Sequence, residues 1–164
     1  MSNEQGEKRI ITILLVDDIP ETRENIKKLL AFEPDFKVVG AAANGREGVE
    51  MAKELRPDII IMDINMPDMD GLQAANLITK AVPTAGVIMM SVQTDTDYIR
   101  KAMLAGARNF LAKPVNMDEL YETVRNVYDQ YEPIRQQMSQ MSEMILDTSK
   151  KVRGEGERAG HIIV

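Results

Sequence analysis

Five short runs rich in β-branched and aliphatic residues punctuate the chain: Ile10–Val16, Val38–Ala42, Ile59–Met62, Val87–Met90 and Phe110–Ala112. They are nearly continuous rather than alternating, which is the pattern of strands covered on both faces. Between and after them the apolar residues step with helical spacing. The stripes are Ile26, Leu29 and Leu30; Val49, Ala52 and Leu55; Leu72, Ala75 and Ile78; Ile99, Ala102 and Met103; and Leu120, Val124 and Val127. Each reads as one apolar face on a polar helix.

Strand then helix, five times over, predicts an α/β fold: a doubly wound, five-stranded parallel sheet with helices on both faces. Right-handed crossovers leave few topologies, and the flavodoxin-like order 2-1-3-4-5 suits five units. A further helical extension follows at the C-terminus. The expected divisions are a disordered tail over 1–9, one domain over 10–131, a helical extension over 132–149, and a linker from 150 onward.

Composition narrows the chemistry. The 164 residues include no cysteine and one histidine, His161, which disfavours disulfides, thiolate metal sites and Ser-His-Asp catalysis. A 44% apolar content supports a core, while 4% aromatics without tryptophan disfavour stacking platforms for single-stranded nucleic acid. The formal charge of −6 argues against direct nucleic-acid binding. No window approaches the roughly 18 apolar residues of a membrane span, and the polar start is unlike a signal peptide, so the cytoplasm is the expected compartment.

In sheets of this type ligands sit at the carboxyl ends of the strands, near the switch point between the first and third. The residues at those ends are informative. Val16 is followed by Asp17 and Asp18, and Met62 by Asp63, Ile64 and Asn65. Met90 is followed by Ser91, and Ala112 by Lys113 and Pro114. The fold therefore predicts three carboxylates, a hydroxyl and an ammonium at one rim.

Clustered carboxylates call for a cation, and oxygen-only ligands suit Mg²⁺. A carboxylate is also a nucleophile toward phosphorus. Asp63, ending the central strand, is the candidate nucleophile. Asp17 and Asp18 are the partners that would hold the metal with it, helped by the backbone carbonyl of Asn65. Lys113 would neutralise the other side of a phosphoryl group, and Ser91 would donate a hydrogen bond to it. The competing reading makes each aspartate a helix N-cap. It is the better reading for any one of them alone and the worse one for three at the rim together. Asp68 and Asp70 read as surface and turn residues, with Gly71 serving the turn. Met62, Met66, Met89 and Met90 read as core filling.

LLVDD at Leu14–Asp18, MDINMPDMDG at Met62–Gly71, MMS at Met89–Ser91 and GARNFLAKP at Gly106–Pro114 resemble the receiver domain of two-component response regulators. The resemblance covers roughly residues 10–131. It implies the same strand order, Asp63 as phospho-acceptor, Asp18 as a direct metal ligand and Asp17 as a ligand acting largely through water. It also implies Ser91 as switch hydroxyl, Lys113 as the phosphoryl-contacting lysine and Phe110 as the aromatic rotamer switch. A histidine kinase or phosphotransfer protein, or a small acyl phosphate, would supply the phosphoryl group. The chain would be a switch rather than an enzyme. Two departures stand out. Val92 occupies a position usually held by Ala or Gly, and is expected to narrow access to the phosphoryl site. Phe110 lacks the hydroxyl of the tyrosine form, so its switching would rest on ring packing.

Two rivals are weighed against that reading. A constitutive dimerising scaffold with the same acidic site would show one surface with or without a phosphate mimic. An aspartyl-nucleophile phosphatase usually has a second carboxylate two residues after the first, where this chain has Asn65.

Beyond Leu120 the apolar spacing continues through Val124, Val127, Tyr131, Ile134, Met138, Met141 and Ile145, a heptad seam. Pro133 either kinks one long helix or starts a second. The free part of the seam is expected to form a homodimeric coiled coil, or to lie as a loosely docked tail. Residues 1–132 hold 15 Lys+Arg against 22 Asp+Glu, net −7, and residues 133–164 hold 5 against 4, net +1, so the tail is no basic arm. The glycine-bearing stretch from Lys150 to Gly160 reads as a linker, and His161–Val164 as the start of a missing second domain, or else as a natural terminus. The arrangement resembles receivers fused to a deviant P-loop ATPase of the partitioning and septum-site class, as in some pilus-assembly proteins.

Overall fold

The computed structural model describes residues 9–146. Residues 1–8 of the expected N-terminal tail over 1–9, the last three residues of the expected helical extension, the linker from 150 and the terminal strand fragment lie outside the described residues. Two compact units are present, Met1–Tyr131 and Glu132–Val164.

The first unit alternates strand and helix throughout. Its elements are β1 (Ile11–Val16), α1 (Pro20–Ala31), β2 (Phe36–Ala42), α2 (Gly45–Leu55), β3 (Ile59–Asp63), α3 (Gly71–Ala81), β4 (Gly86–Ser91), α4 (Thr96–Leu104), β5 (Ala107–Ala112) and α5 (Met117–Gln130). All strand pairs are parallel and the order is β2-β1-β3-β4-β5. The three central strands are buried almost end to end, as continuous apolar runs require. The edge strands β2 and β5 are not, and each exceeds its apolar run: β2 begins at Phe36 and β5 at Ala107. Register slips beside β2 and again beside β5, so both edges carry an irregularity.

Strand alternation divides the core. Leu14, Val16, Ile60, Met62, Val87 and Met89 share one cluster with Val49 and Ala52 of α2, Ala74, Ala75 and Ile78 of α3, and Ala102 of α4. Ile13, Leu15, Ile59, Ile61, Ile88 and Met90 lie at the alternate positions, and α1 and α5 bury Ile26, Leu30, Leu120, Val124 and Val127. Arg125 of α5 bridges to Glu33 and Asp35 at 2.6 and 3.0 Å and lies 4.5 Å from the centre of the Phe36 ring. The stripe on α4 is the weakest, with only Ala102 fully buried and Met103 exposed.

Thr12, the one polar residue interrupting the first strand, has a partner. Its hydroxyl and amide meet Asp58 Oδ2 at 3.0 and 2.9 Å, and the Asp58 amide donates to Thr12 Oγ1 at 2.9 Å. This staple ties β1 to the start of β3 at the rim opposite the site.

In the second unit a helix, α6, runs over 132–146 with Pro133 in its first turn, where a missing N–H is no loss. The proline therefore starts a second helix, one of the two alternatives read from the sequence. Met138, Met141 and Ile145 of the seam are exposed, as are Met144 and Leu146 beside it.

Candidate phosphoryl and metal site

The carboxyl ends of β1, β3, β4 and β5 deliver the rim residues to one place. Asp17 and Asp63 are buried, Asp18 half-buried, and one carboxylate oxygen of each lies within 4.8 Å of the other two. Lys113 Nζ stands 3.0 Å from Asp17 Oδ2 and 3.3 Å from Asp63 Oδ2, its side chain only 14% exposed. Ser91, fully buried, accepts a hydrogen bond from the Gln93 amide at 3.0 Å. The Lys113 amide donates to the Ser91 carbonyl at 3.0 Å, and the Lys113–Pro114 peptide is cis.

None of the three aspartates caps a helix, which removes the competing structural role. The side-chain caps are Asn44 on α2, Asp70 on α3, Asp95 on α4 and Asn116 on α5. Helix α1 starts from Ile19 without one, Pro20 holding its first position. Asp70 thus has a defined job, and Asp68 pairs with Arg46 at 3.3 Å. Gly71 does not serve a turn conformation. A Cβ there would lie 2.5 Å from the Asp63 carbonyl oxygen and 2.7 Å from Ile64 Cα, so glycine lets α3 abut the strand carrying the acceptor candidate.

Burial holds the Asp63 carboxyl above its ordinary value of 3.8, more than the opposing attraction of Lys113 lowers it, and the Asp17 charge adds to the rise. The Asn65 backbone offsets the rise in small part. Three oxygen-bearing groups this close, with the ionised form of one disfavoured, fit a small hard cation. Asp17, Asp18 and Asp63 are the residues that would hold it.

Other predicted residues fall around this centre. Phe110 is half-buried on β5 against the core cluster. Val92 is 68% exposed beside Ser91. The Asn65 side chain is exposed and accepts a hydrogen bond from the Tyr98 hydroxyl at 2.9 Å. Two contacts have no signal in the sequence. Arg23 donates to the Asp17 carbonyl at 2.6 Å, and the Ile19 amide donates to Asp17 Oδ1 at 2.9 Å. Both depend on how α1 leaves the first strand.

The model of the response regulator receiver domain matches residues 13–125. The chain belongs to this family. As a receiver it is 38% identical over 115 residues to the chemotaxis protein CheY of Thermotoga maritima, covering 70% of this chain and 95% of that one. It is 36% identical over 125 residues to the transcriptional regulatory protein DegU of Brevibacillus brevis, covering 76% of this chain and 53% of DegU. It also spans 56% of the nitrate/nitrite response regulator NarL of Escherichia coli, so it matches about half the length of such relatives. Among solved structures, the response regulator domain of Thermotoga maritima CheB superposes with a TM-score of 0.69 at 37% identity, covering 74% of this chain and 98% of that one. CheY of Borrelia burgdorferi, solved with CheX, BeF3 and Mg, gives 0.70 at 28% identity over 76% of this chain and 92% of that one. Receiver domains are signalling switches rather than enzymes, and no described helix is long and apolar enough to cross a membrane.

Proposed function

We propose that this receiver takes a phosphoryl group on Asp63, from a histidine kinase or phosphotransfer protein, and changes its surface in response. The observation that carries this reading is Lys113 Nζ, set between Asp17 and Asp63 at 3.0 and 3.3 Å beside the three-carboxylate cluster. An Asp63 oxygen attacks the phosphorus of a phosphohistidine. A P–O bond forms as the P–N bond breaks, and the electron pair leaves on the imidazole nitrogen. Lys113 pairs with the charge on the transferring group. The Ser91 hydroxyl, already accepting from Gln93, keeps its proton to donate to a phosphoryl oxygen. Asp17, Asp18, Asp63 and the Asn65 carbonyl would hold Mg²⁺, which would supply charge neutralisation. The acyl phosphate carries roughly −1.5 to −2 charge where the ionised carboxylate carried one negative charge, at a rim that is already acidic.

The response follows from the neighbours. Ser91 and Lys113 shift toward the new oxygens and draw the loop after β4, and Phe110 repacks beside them. The exposed seam on α6 pairs with a second copy, so output is a change in dimerisation or in an attached domain. The compartment that offers such phosphodonors is the cytoplasm.

The test is labelling by acetyl phosphate with Mg²⁺, followed by intact-mass spectrometry. The wild type gains one phosphoryl group and Asp63→Asn gains none. Undiminished labelling of the variant removes Asp63 from the role.

A further inference from the structure

Tyr98 lies in the first turn of α4, a helix with little core contact of its own. Its ring packs against the core cluster, while its hydroxyl donates to Asn65 Oδ1 at 2.9 Å. Asn65 sits two residues beyond Asp63 in the β3–α3 loop, next to the end of the strand that carries the acceptor carboxylate. On its other side the same loop is pressed by α2, since a Cβ on Gly45 would lie 2.2 Å from the Met69 carbonyl oxygen. A path therefore runs from the start of α4, through one hydroxyl and one side-chain amide, to the loop that leaves the acceptor's strand.

We propose that Tyr98 is a positioning residue for phosphoryl transfer. Through Asn65 it fixes the loop, and with it the orientation in which the Asp63 carboxylate meets the phosphodonor. The inference rests on the reading of Asp63 as acceptor. Packing holds the ring, so Tyr98→Phe removes the hydrogen bond to Asn65 without removing the packing. A preorganised nucleophile contributes to the rate of transfer rather than to donor binding. The effect should therefore fall on the maximal rate.

The experiment has two arms. In the first, hydrogen exchange is followed at the amides of residues 64–66 in the metal-free protein. Tyr98→Phe should speed exchange by about threefold to tenfold, the range of one lost hydrogen bond. In an Asn65→Ala background it should add nothing. In the second arm, acetyl phosphate labelling is measured with Mg²⁺. The maximal rate should fall by a similar factor, with the half-saturating donor concentration unchanged and the same loss of effect in the Asn65→Ala background. Unchanged exchange, or equal effects of Tyr98→Phe with and without Asn65, overturns the proposal. A wild type that takes no label refutes Asp63 as acceptor instead, and the exchange arm still decides whether Tyr98 fixes the loop.

Discussion

Burying Asp63 beside Asp17 makes its ionised form the less favoured one, even with Lys113 at 3.3 Å. Because the folded state holds this proton more tightly than the unfolded chain does, the sign of the pH dependence is set. As pH rises from below 3.8 through the raised folded value, the metal-free protein loses stability at this group. Asp63→Asn removes that loss. Melting temperatures measured without metal should therefore diverge with rising pH, the variant becoming the more stable of the two. Parallel curves would show that burial of this carboxylate carries no strain. Added Mg²⁺ should raise the wild-type curve most at the pH where Asp63 is ionised, by about 1.4 kcal/mol at ten times Kd, and should leave Asp63→Asn nearly unmoved.

Strands and helices were legible where one physical demand acted alone. The central runs Ile59–Met62 and Val87–Met90 lie under helices on both faces, so hydropathy marks them to within a residue at each end. The edge strands answer to solvent as well. Lys37 near the start of β2 and Arg108 and Asn109 near the start of β5 therefore hid the first residues of each. The site was readable because strand ends fix which side chains reach the rim, and Asp17, Asp63, Ser91 and Lys113 need nothing more. Contacts set by a helix's path, such as Arg23 to Asp17 and Tyr98 to Asn65, leave no periodic trace. Element packing also separates two glycines. At Gly71 an added methyl meets backbone atoms of Asp63 and Ile64, whereas at Gly40 it meets the flexible ends of Met51 and Leu55. Gly71→Ala should cost about 1–3 kcal/mol in chemical denaturation and slow labelling, with Gly40→Ala costing less and labelling normally. Equal costs would mean that α3 can slide away from β3.

At the scale of the whole molecule, the chain divides between Tyr131 and Glu132 into units of opposite character. The first buries its apolar residues around the sheet, and the described part of the second leaves Met138, Met141, Met144, Ile145 and Leu146 exposed. Light scattering of the full chain should find a dimer that a chain ending at Tyr131 does not form. A dimer of equal strength in both would place the contact on the receiver itself. The same division sorts the thioethers by reach. Met62, Met89 and Met90 are at most 1% exposed, while Met138, Met141 and Met144 range from 40 to 69%. Peroxide therefore attacks the tail long before the sheet, converting seam sulfurs to polar sulfoxides while the acid cluster keeps its shape. If the exposed seam pairs and Asp63 takes the phosphoryl group as proposed, oxidative damage would cut the pairing first and the phosphoryl transfer last.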